Sequence, residues 1–406
     1  MIRDVPHGPG RSRPPRKGTP EKPKLPLEGV RILDLARLGP GPHSSQILAD
    51  FGADIIKLEP PSRGGNELVV PDVIRRNTRS IRLNLKKPEG REVLEKLIET
   101  VDVVVEGFRP GVAKRLGLDY AALSGIKSDI ICVSLSGFGQ DGPYSQVVAH
   151  DLNYQGLAGI PHMTGEVDGP PQIPGNAIAD DAGGISAALS IVMALFHKER
   201  TGEGQYVDLA MVDTLLNMMW LQLNDSLLSG HSPRRGQTVL TGQWAYYNIY
   251  GCKDGKFLSV AAFEPWFWTK LCRLLGVEEF ADRQQPEPGS QEAVHQIRRL
   301  REIFLTRDRD DWTERLMCED TCVTPILSLD EVMADRNHRE RGAILSGSDL
   351  GEGFVDQVGV LFRMSKTPGS IRTPAPAVGQ DTREVLAELG YAEAEIEALE
   401  RAISAA

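Results

Sequence analysis

From Val30 onward, short apolar runs alternate with amphipathic ones. Residues 30–35 (VRILDL) read as a strand, a Gly-Pro loop follows at 39–42, and a helix is expected over 43–52. Residues 54–58 give a second strand. Pro88–Thr100 reads as a helix, with proline at its start and Val93, Leu94, Leu97 and Ile98 on one face. Short apolar strands are expected at 101–105 and 130–135. Two long, mostly apolar helices are expected over 182–198 and 211–228, with a strand at 205–209 between them. Strands alternating with helices predict an α/β fold, a doubly wound, Rossmann-like parallel sheet covered on both faces.

Past residue 230 the rhythm changes. Ser232, Pro233 and Gly236 mark a linker; 256–262 reads as a strand, and helices are expected near 265–275, 290–305 and 309–318. This predicts a smaller α/β or α+β domain. A last strand region is expected at 355–363 and one or two exposed helices over 380–404. The expected organisation is a disordered tail at 1–25, a large domain at 26–229, a linker and small domain at 230–335, and a C-terminal return to the large domain at 336–406. No internal repeat is present.

The tail holds Pro, Gly, Arg and Lys and few apolar residues, so it cannot bury enough surface to fold. It also lacks the apolar stretch of a secretory signal. The most apolar uncharged stretch, 185–196, is too short to span a bilayer and reads as a buried helix, so no membrane partner is expected.

The net charge of -10 argues against a nucleic-acid partner but leaves room for a local basic patch. Five cysteines, odd in number and widely spaced, do not form a disulfide framework; a reducing, cytoplasmic location is expected. Cys318 and Cys322 have no further ligands near them in sequence to complete a zinc site, and no metal is expected.

Residues 137–142 (GFGQDG) match a dinucleotide fingerprint, G-x-G-x-x-G, after a strand. That fingerprint must open a helix. Here Pro143 follows, and 144–149 show no helical start, so the loop reads as one that lets backbone approach something closely.

Four other features carry candidate chemistry: His150-Asp151-Leu152-Asn153-Tyr154, Ala179-Asp180-Asp181, Glu264-Pro265, and Cys322-Val323-Thr324-Pro325. Each has a plain structural reading. Asp151, Asp180 and Glu264 suit helix starts, and His150 suits a hydrogen-bonded core position.

Together with LGPGPH at 38–43, LADFGAD at 48–54, FRPGV at 108–112, RLGL at 115–118 and SGFGQDGP at 136–143, they resemble the class III CoA-transferase family over nearly the whole chain beyond the tail. Transferases of that family generally lack the His-Asp pair and use one aspartate, matching Asp180, as nucleophile. The α-methylacyl-CoA racemase branch carries all four features, and the resemblance therefore implies that branch.

Racemisation next to a thioester needs a proton taken from one face and another returned on the opposite face, by two acid/base groups. The resemblance gives these roles to His150 and Asp180, with Asp151 and Glu264 as an acidic pair that orients or tunes His150. Backbone N–H groups at the helix start near Asp151 are candidates to hold the enolate oxygen. No cofactor is implied beyond the CoA part of the substrate. Candidate CoA-binding residues are Lys57, Arg79, Arg115, Gly137 and Tyr154.

By the same resemblance this chain departs from close relatives at Pro60, where a related racemase has arginine, at Ala149, which replaces the usual glycine, and at Asp181, which replaces an apolar residue. Asp181 would raise the pKa of Asp180 by like-charge repulsion or else face solvent. The resemblance further implies an interlocked homodimer, with Glu264 entering the neighbouring subunit's site. The alternatives are a CoA-transferase acting through an Asp180 anhydride and a catalytically silent CoA-binding protein. Trp244, Trp266, Phe267 and Trp268 suit either an acyl pocket or a core.

Overall fold

The computed structural model describes residues 25–37, 39–60 and 72–404. The tail expected at 1–25, apart from Leu25, lies outside them, as does Leu38.

The large lobe runs β1 (Arg31–Asp34), α1 (Pro40–Asp50), β2 (Asp54–Glu59), β3 (Thr78–Arg82), α2 (Pro88–Thr100), β4 (Val103–Glu106), α3 (Val112–Leu116), α4 (Tyr120–Ile126), β5 (Ile131–Ser136), α5 (Asp151–Ala158), α6 (Ile160–Met163), α7 (Ile178–Thr201) and β6 (Tyr206–Ala210). The six strands pair in parallel in the order β3-β2-β1-β4-β5-β6. The strand order reverses between β1 and β4, where a doubly wound sheet opens a crevice at the carboxyl ends of its strands.

Both faces of the sheet are buried, and the two-residue period of the strands sorts their side chains between two cores. Ile32, Ile55, Val103, Val105, Ile131 and Val133 pack on the side of α1 and α7. Leu33, Ile56, Val104 and Cys132 pack on the other, against α2, α4 and the C-terminal helices.

The helix expected over 211–228 is two, α8 (Met211–Met218) and α9 (Trp220–Ser229), which meet at Met219. A smaller lobe follows: β7 (Tyr247–Gly251), β8 (Phe257–Ala261), α10 (Pro265–Leu275), α11 (Gln291–Phe304), α12 (Arg309–Leu316) and β9 (Val323–Ile326). Its sheet is antiparallel in the order β7-β8-β9, so this lobe is α+β in character. Trp268 is fully buried in its core and donates its indole N–H to Phe280 O at 2.9 Å, whereas Trp266 is largely exposed.

The remaining chain, α13 (Leu329–Ala334), α14 (Arg336–Glu340), β10 (Ile344–Leu345), α15 (Gly347–Leu350), β11 (Gln357–Val358), α16 (Thr382–Glu388) and α17 (Glu393–Ser404), returns to the large lobe. The buried Arg76 guanidinium donates to Asp50 at 2.7 Å and to Gln357 at 2.7 Å. Val385, Leu386 and Ile396 complete the core beneath α2. The strand region expected at 355–363 contracts to the two residues of β11.

One expectation needs correcting. The apolar stretch 185–196 is not a buried helix. It is the middle of the 24-residue α7, long and apolar enough by length and composition to cross a membrane. Ala187, Ala188, Ile191 and Ala194 face the core, while Ile185, Leu189, Val192, Met193 and Phe196 stand at the surface of the single chain. The small residues on the inner face let α7 lie close to α1, which leaves the larger apolar side chains pointing outward.

Candidate active site

A cleft of about 400 Å³ opens at the β1/β4 switch point. Its walls are the loops after β1 (Leu35, Ala36, Arg37, Gly39 and Pro40), β4 (Gly107 to Pro110) and β5 (Leu135 to Phe138), together with His150, Tyr154 and Asp180. The first two residues of the glycine loop at 137–142, Gly137 and Phe138, line the cleft, and the loop does not open a helix.

His150 stands just before α5, and its own N–H donates to Asn153 Oδ1 at 3.0 Å, which fixes the turn that presents the imidazole. Tyr154, one turn on, donates its hydroxyl to Ala149 O at 2.8 Å and braces the residue before the histidine. That ring leaves no room at residue 137: a Cβ on Gly137 would stand 2.2 Å from Tyr154 Cε1. Gly137 and Tyr154 form one wall of the cleft.

Asp180 lies in the first turn of α7, half-buried, across the cleft. Gly39, with φ 58°, is packed so closely that a Cβ there would come within 2.9 Å of Asp180 Oδ2. A residue without a side chain is therefore needed twice over, for the left-handed φ and for the space.

Burial pushes the Asp180 carboxyl above its ordinary value, the charges of Asp151 and Asp181 push it further, and His150 opposes them.

The structure gives Asp151 a different place from the one expected. Its Oδ1 accepts the backbone N–H groups of Ala179 at 2.7 Å and Asp180 at 3.2 Å, and its Oδ2 accepts from Gln155. It holds the first turn of α7 and acts electrostatically on Asp180. Glu264 lies in the small lobe at the start of α10, near Cys322, whose thiol is pushed up by burial first and by the Glu264 charge second. The Glu-Pro and Cys-Val-Thr-Pro features thus meet, but within one chain Glu264 does not line the cleft.

The candidate CoA-binding cations divide. Lys57 is buried; its ammonium donates to Asp34 Oδ2 at 2.9 Å and to Ala36 O at 2.7 Å, supporting the cleft wall from beneath. Arg79 is turned away: its guanidinium is held by Asp54 at 2.6 Å and by Glu388 at 2.6 Å. Arg79 is therefore corrected to a tie between β2, β3 and α16, since its donors are committed to carboxylates away from the cleft. Arg115 is exposed on α3, on the segment that begins at the cleft with Arg109.

Arg37 and Arg109 line the cleft itself and were not singled out by sequence reasoning. Arg109 falls within the family-like FRPGV run. Among the described residues no group of three or more His, Cys, Asp or Glu is placed to hold a metal ion.

With this geometry in view, the comparisons with known proteins are specific. The model of CoA-transferase family III matches residues 27–382. The chain is 33% identical over 373 residues to α-methylacyl-CoA racemase from Homo sapiens, covering 91% of this chain and 95% of the relative. It is 34% identical over 389 residues to succinate–glutarate CoA-transferase from Agrobacterium fabrum, covering 90% and 96%. Among solved structures, a CAIB/BAIF family protein from Brucella suis matches with a TM-score of 0.79 and 30% identity, over 90% of this chain and 100% of that one.

Proposed function

The chain belongs to CoA-transferase family III, and from that premise we propose that it is a 2-methylacyl-CoA racemase. The observation that carries this reading is the placement of His150 and Asp180 on one cleft, with Asp180 raised above its ordinary value. The substrate's α-carbon sits between them. One group takes the α-proton as the thioester becomes an enolate, and the other returns a proton to the opposite face; in the reverse direction the roles exchange. A carboxyl raised toward the working pH serves both halves, because general acid/base catalysis is most efficient when pKa and pH are close. The N–H groups of Asp151 and Leu152, in the first turn of α5, precede the helix's internal bonds and are suited to the enolate oxygen.

Phosphates of CoA are held by Arg109 on the cleft and by Arg115, exposed on α3 beyond it. No cofactor takes part beyond the CoA of the substrate. The apolar side chains on the outer faces of α7 and α9, among them Leu189, Phe196, Leu227 and Leu228, support an interlocked homodimer. In that dimer Glu264 approaches the partner's cleft. The five free thiols suit a cytoplasmic enzyme.

A second reading has support in the transferase relatives, which are as similar as the racemases. In it, ionised Asp180 attacks the thioester carbon, the C–S bond breaks, CoA leaves as thiolate and an acyl–aspartyl anhydride remains. The racemase reading is favoured by His150 on the same cleft, a second acid/base group that an anhydride mechanism does not need. Exchange of the α-proton with solvent deuterium, run without an acceptor acid, tests the choice.

A further inference from the structure

Asp180 and Asp181 are neighbours in the first turn of α7, yet they face different surroundings. Asp180 lines the cleft against Gly39, the residue that precedes α1. Asp181 points to His43 on α1, with 3.6 Å between Asp181 Oδ1 and His43 Nδ1. That separation is too long for a hydrogen bond and short enough for a charge interaction. Nδ1 is buried and has no hydrogen-bond partner among the described residues. The imidazole fits there because residue 184 is glycine: a Cβ at that position would stand 2.9 Å from Nδ1. The structure thus supplies Asp181 with a titratable partner.

We propose that His43 and Asp181 form a positioning pair behind the cleft, through which the charge state of His43 controls how firmly Asp180 holds its proton. This deepens the reading of Asp180 as an acid/base group and rests on it. When His43 is neutral, the Asp181 carboxylate acts on Asp180 with its full charge and favours the protonated form. When His43 takes up a proton, the imidazolium offsets Asp181 and Asp180 ionises more readily. Burial pulls the His43 imidazole below its ordinary value while Asp181 opposes that pull, so the neutral state prevails at neutral pH.

The charged surroundings leave this pair a distinct role. Asp180 is faced by Asp181 from α7, by Asp151, His150 and Tyr154 from α5, and by the loops carrying Arg37 and Arg109. Behind α1, the Asp34–Lys57 pair from β1 and β2 neutralises itself, and Arg76–Asp50 does the same at the far end of the helix. His43 is thus the group on α1 whose charge can change near Asp181.

The test reads Asp180 directly and does not need activity. The full-length protein is labelled with aspartate carrying 13C at the carboxyl, the Asp180 signal is assigned by its loss in Asp180→Asn, and its midpoint is followed against pH. Asp181→Asn is expected to move the midpoint to lower pH. His43→Gln is expected to move it to higher pH, because no imidazolium then forms to offset Asp181. In an Asp181→Asn background the His43→Gln shift should shrink. An unmoved midpoint in Asp181→Asn, or a His43→Gln shift of equal size in both backgrounds, overturns the proposal. Asp181 is 46% exposed and Asn is close to isosteric with it, so this variant keeps the Asp181 half of the pair falsifiable even where His43→Gln folds poorly. Failure of the racemase reading would appear separately, as absent α-proton exchange with the Asp180 midpoints shifting as expected.

Discussion

Asp151 Oδ1 accepts the backbone N–H of Asp180 at 3.2 Å, so one carboxylate holds in place the helix turn that carries the other. It does two jobs at once: it caps α7, and its charge raises Asp180. The two separate by substitution. Asp151→Ala loses both and should cost about 1 kcal/mol of stability, within the roughly 0.5–2 kcal/mol of helix caps. Asp151→Asn keeps an acceptor oxygen and loses only the charge. It should unfold close to wild type while the acid limb of α-proton exchange moves to lower pH. Thermal unfolding and the pH profile check this pair; an unmoved limb in both variants would remove Asp151 from the electrostatics of the cleft.

The arginines divide into those near the cleft and those that tie the fold. Arg109→Ala and Arg115→Ala should raise KM for acyl-CoA more than they lower kcat, as expected when binding common to ground and transition states is lost. Arg79→Ala should leave KM near wild type and lower the melting temperature, because it removes one of the two arginines, with Arg31, that hold Asp54 and Glu388. Steady-state kinetics with thermal unfolding distinguish the two groups, and a raised KM in Arg79→Ala would return that residue to the binding surface.

Gly137 faces Tyr154 with no space for a methyl group. Gly137→Ala should force the ring aside, break its hydroxyl bond to Ala149 O, and cost about 1–3 kcal/mol, as overpacking does. Because Ala149 precedes His150, kcat should fall more steeply than stability. Denaturant unfolding alongside exchange kinetics measures both, and wild-type values for both would show that Tyr154 is not a brace.

Much of the fold was legible because its strands are continuously apolar and its helices amphipathic, as in β4 and α2. What stayed hidden has physical causes. β3 (TRSIR) is mostly polar because it is an edge strand roofed by the C-terminal segment, with Ser80 N–H bonded to Asp381 at 2.7 Å. β9 contains Pro325, which argues against a strand on sequence alone, yet it pairs with β8 as the edge of a three-stranded sheet.

At the site, the family resemblance pointed to His150 and Asp180, while residue type and spacing alone left each with a plain structural reading. Sequence spacing carried no sign that Asp151 would turn to α7. Nor could it show that Lys57 would be consumed by Asp34, since that depends on the register of β1 and β2.

Glu106 lies buried below the cleft wall, accepting from Ser134 Oγ and from Phe108 N–H. Burial pushes its carboxyl up. A folded value above the unfolded one makes its stabilising contribution complete below the unfolded carboxyl value of about 4.3, and that contribution is lost as pH rises through the folded value. Glu106→Gln removes this loss while keeping an oxygen for Phe108. The variant's melting temperature should therefore hold up better than wild type as pH rises from weakly acid to neutral. Parallel curves for the two proteins would assign the pH dependence to other groups.

The central claim is that His150 and Asp180 serve opposite faces of one α-carbon. Its most direct test is enantiomer-resolved deuterium uptake at the α-carbon of a 2-methylacyl-CoA in deuterium oxide, on folded His150→Ala and Asp180→Ala proteins with no acceptor acid. Each variant should lose racemisation yet still exchange one enantiomer, and the two should retain opposite enantiomers. Equal residual uptake from both enantiomers in both variants would contradict the two-base mechanism, as would an inactive Asp180→Ala beside a His150→Ala that still transfers CoA to a free acid.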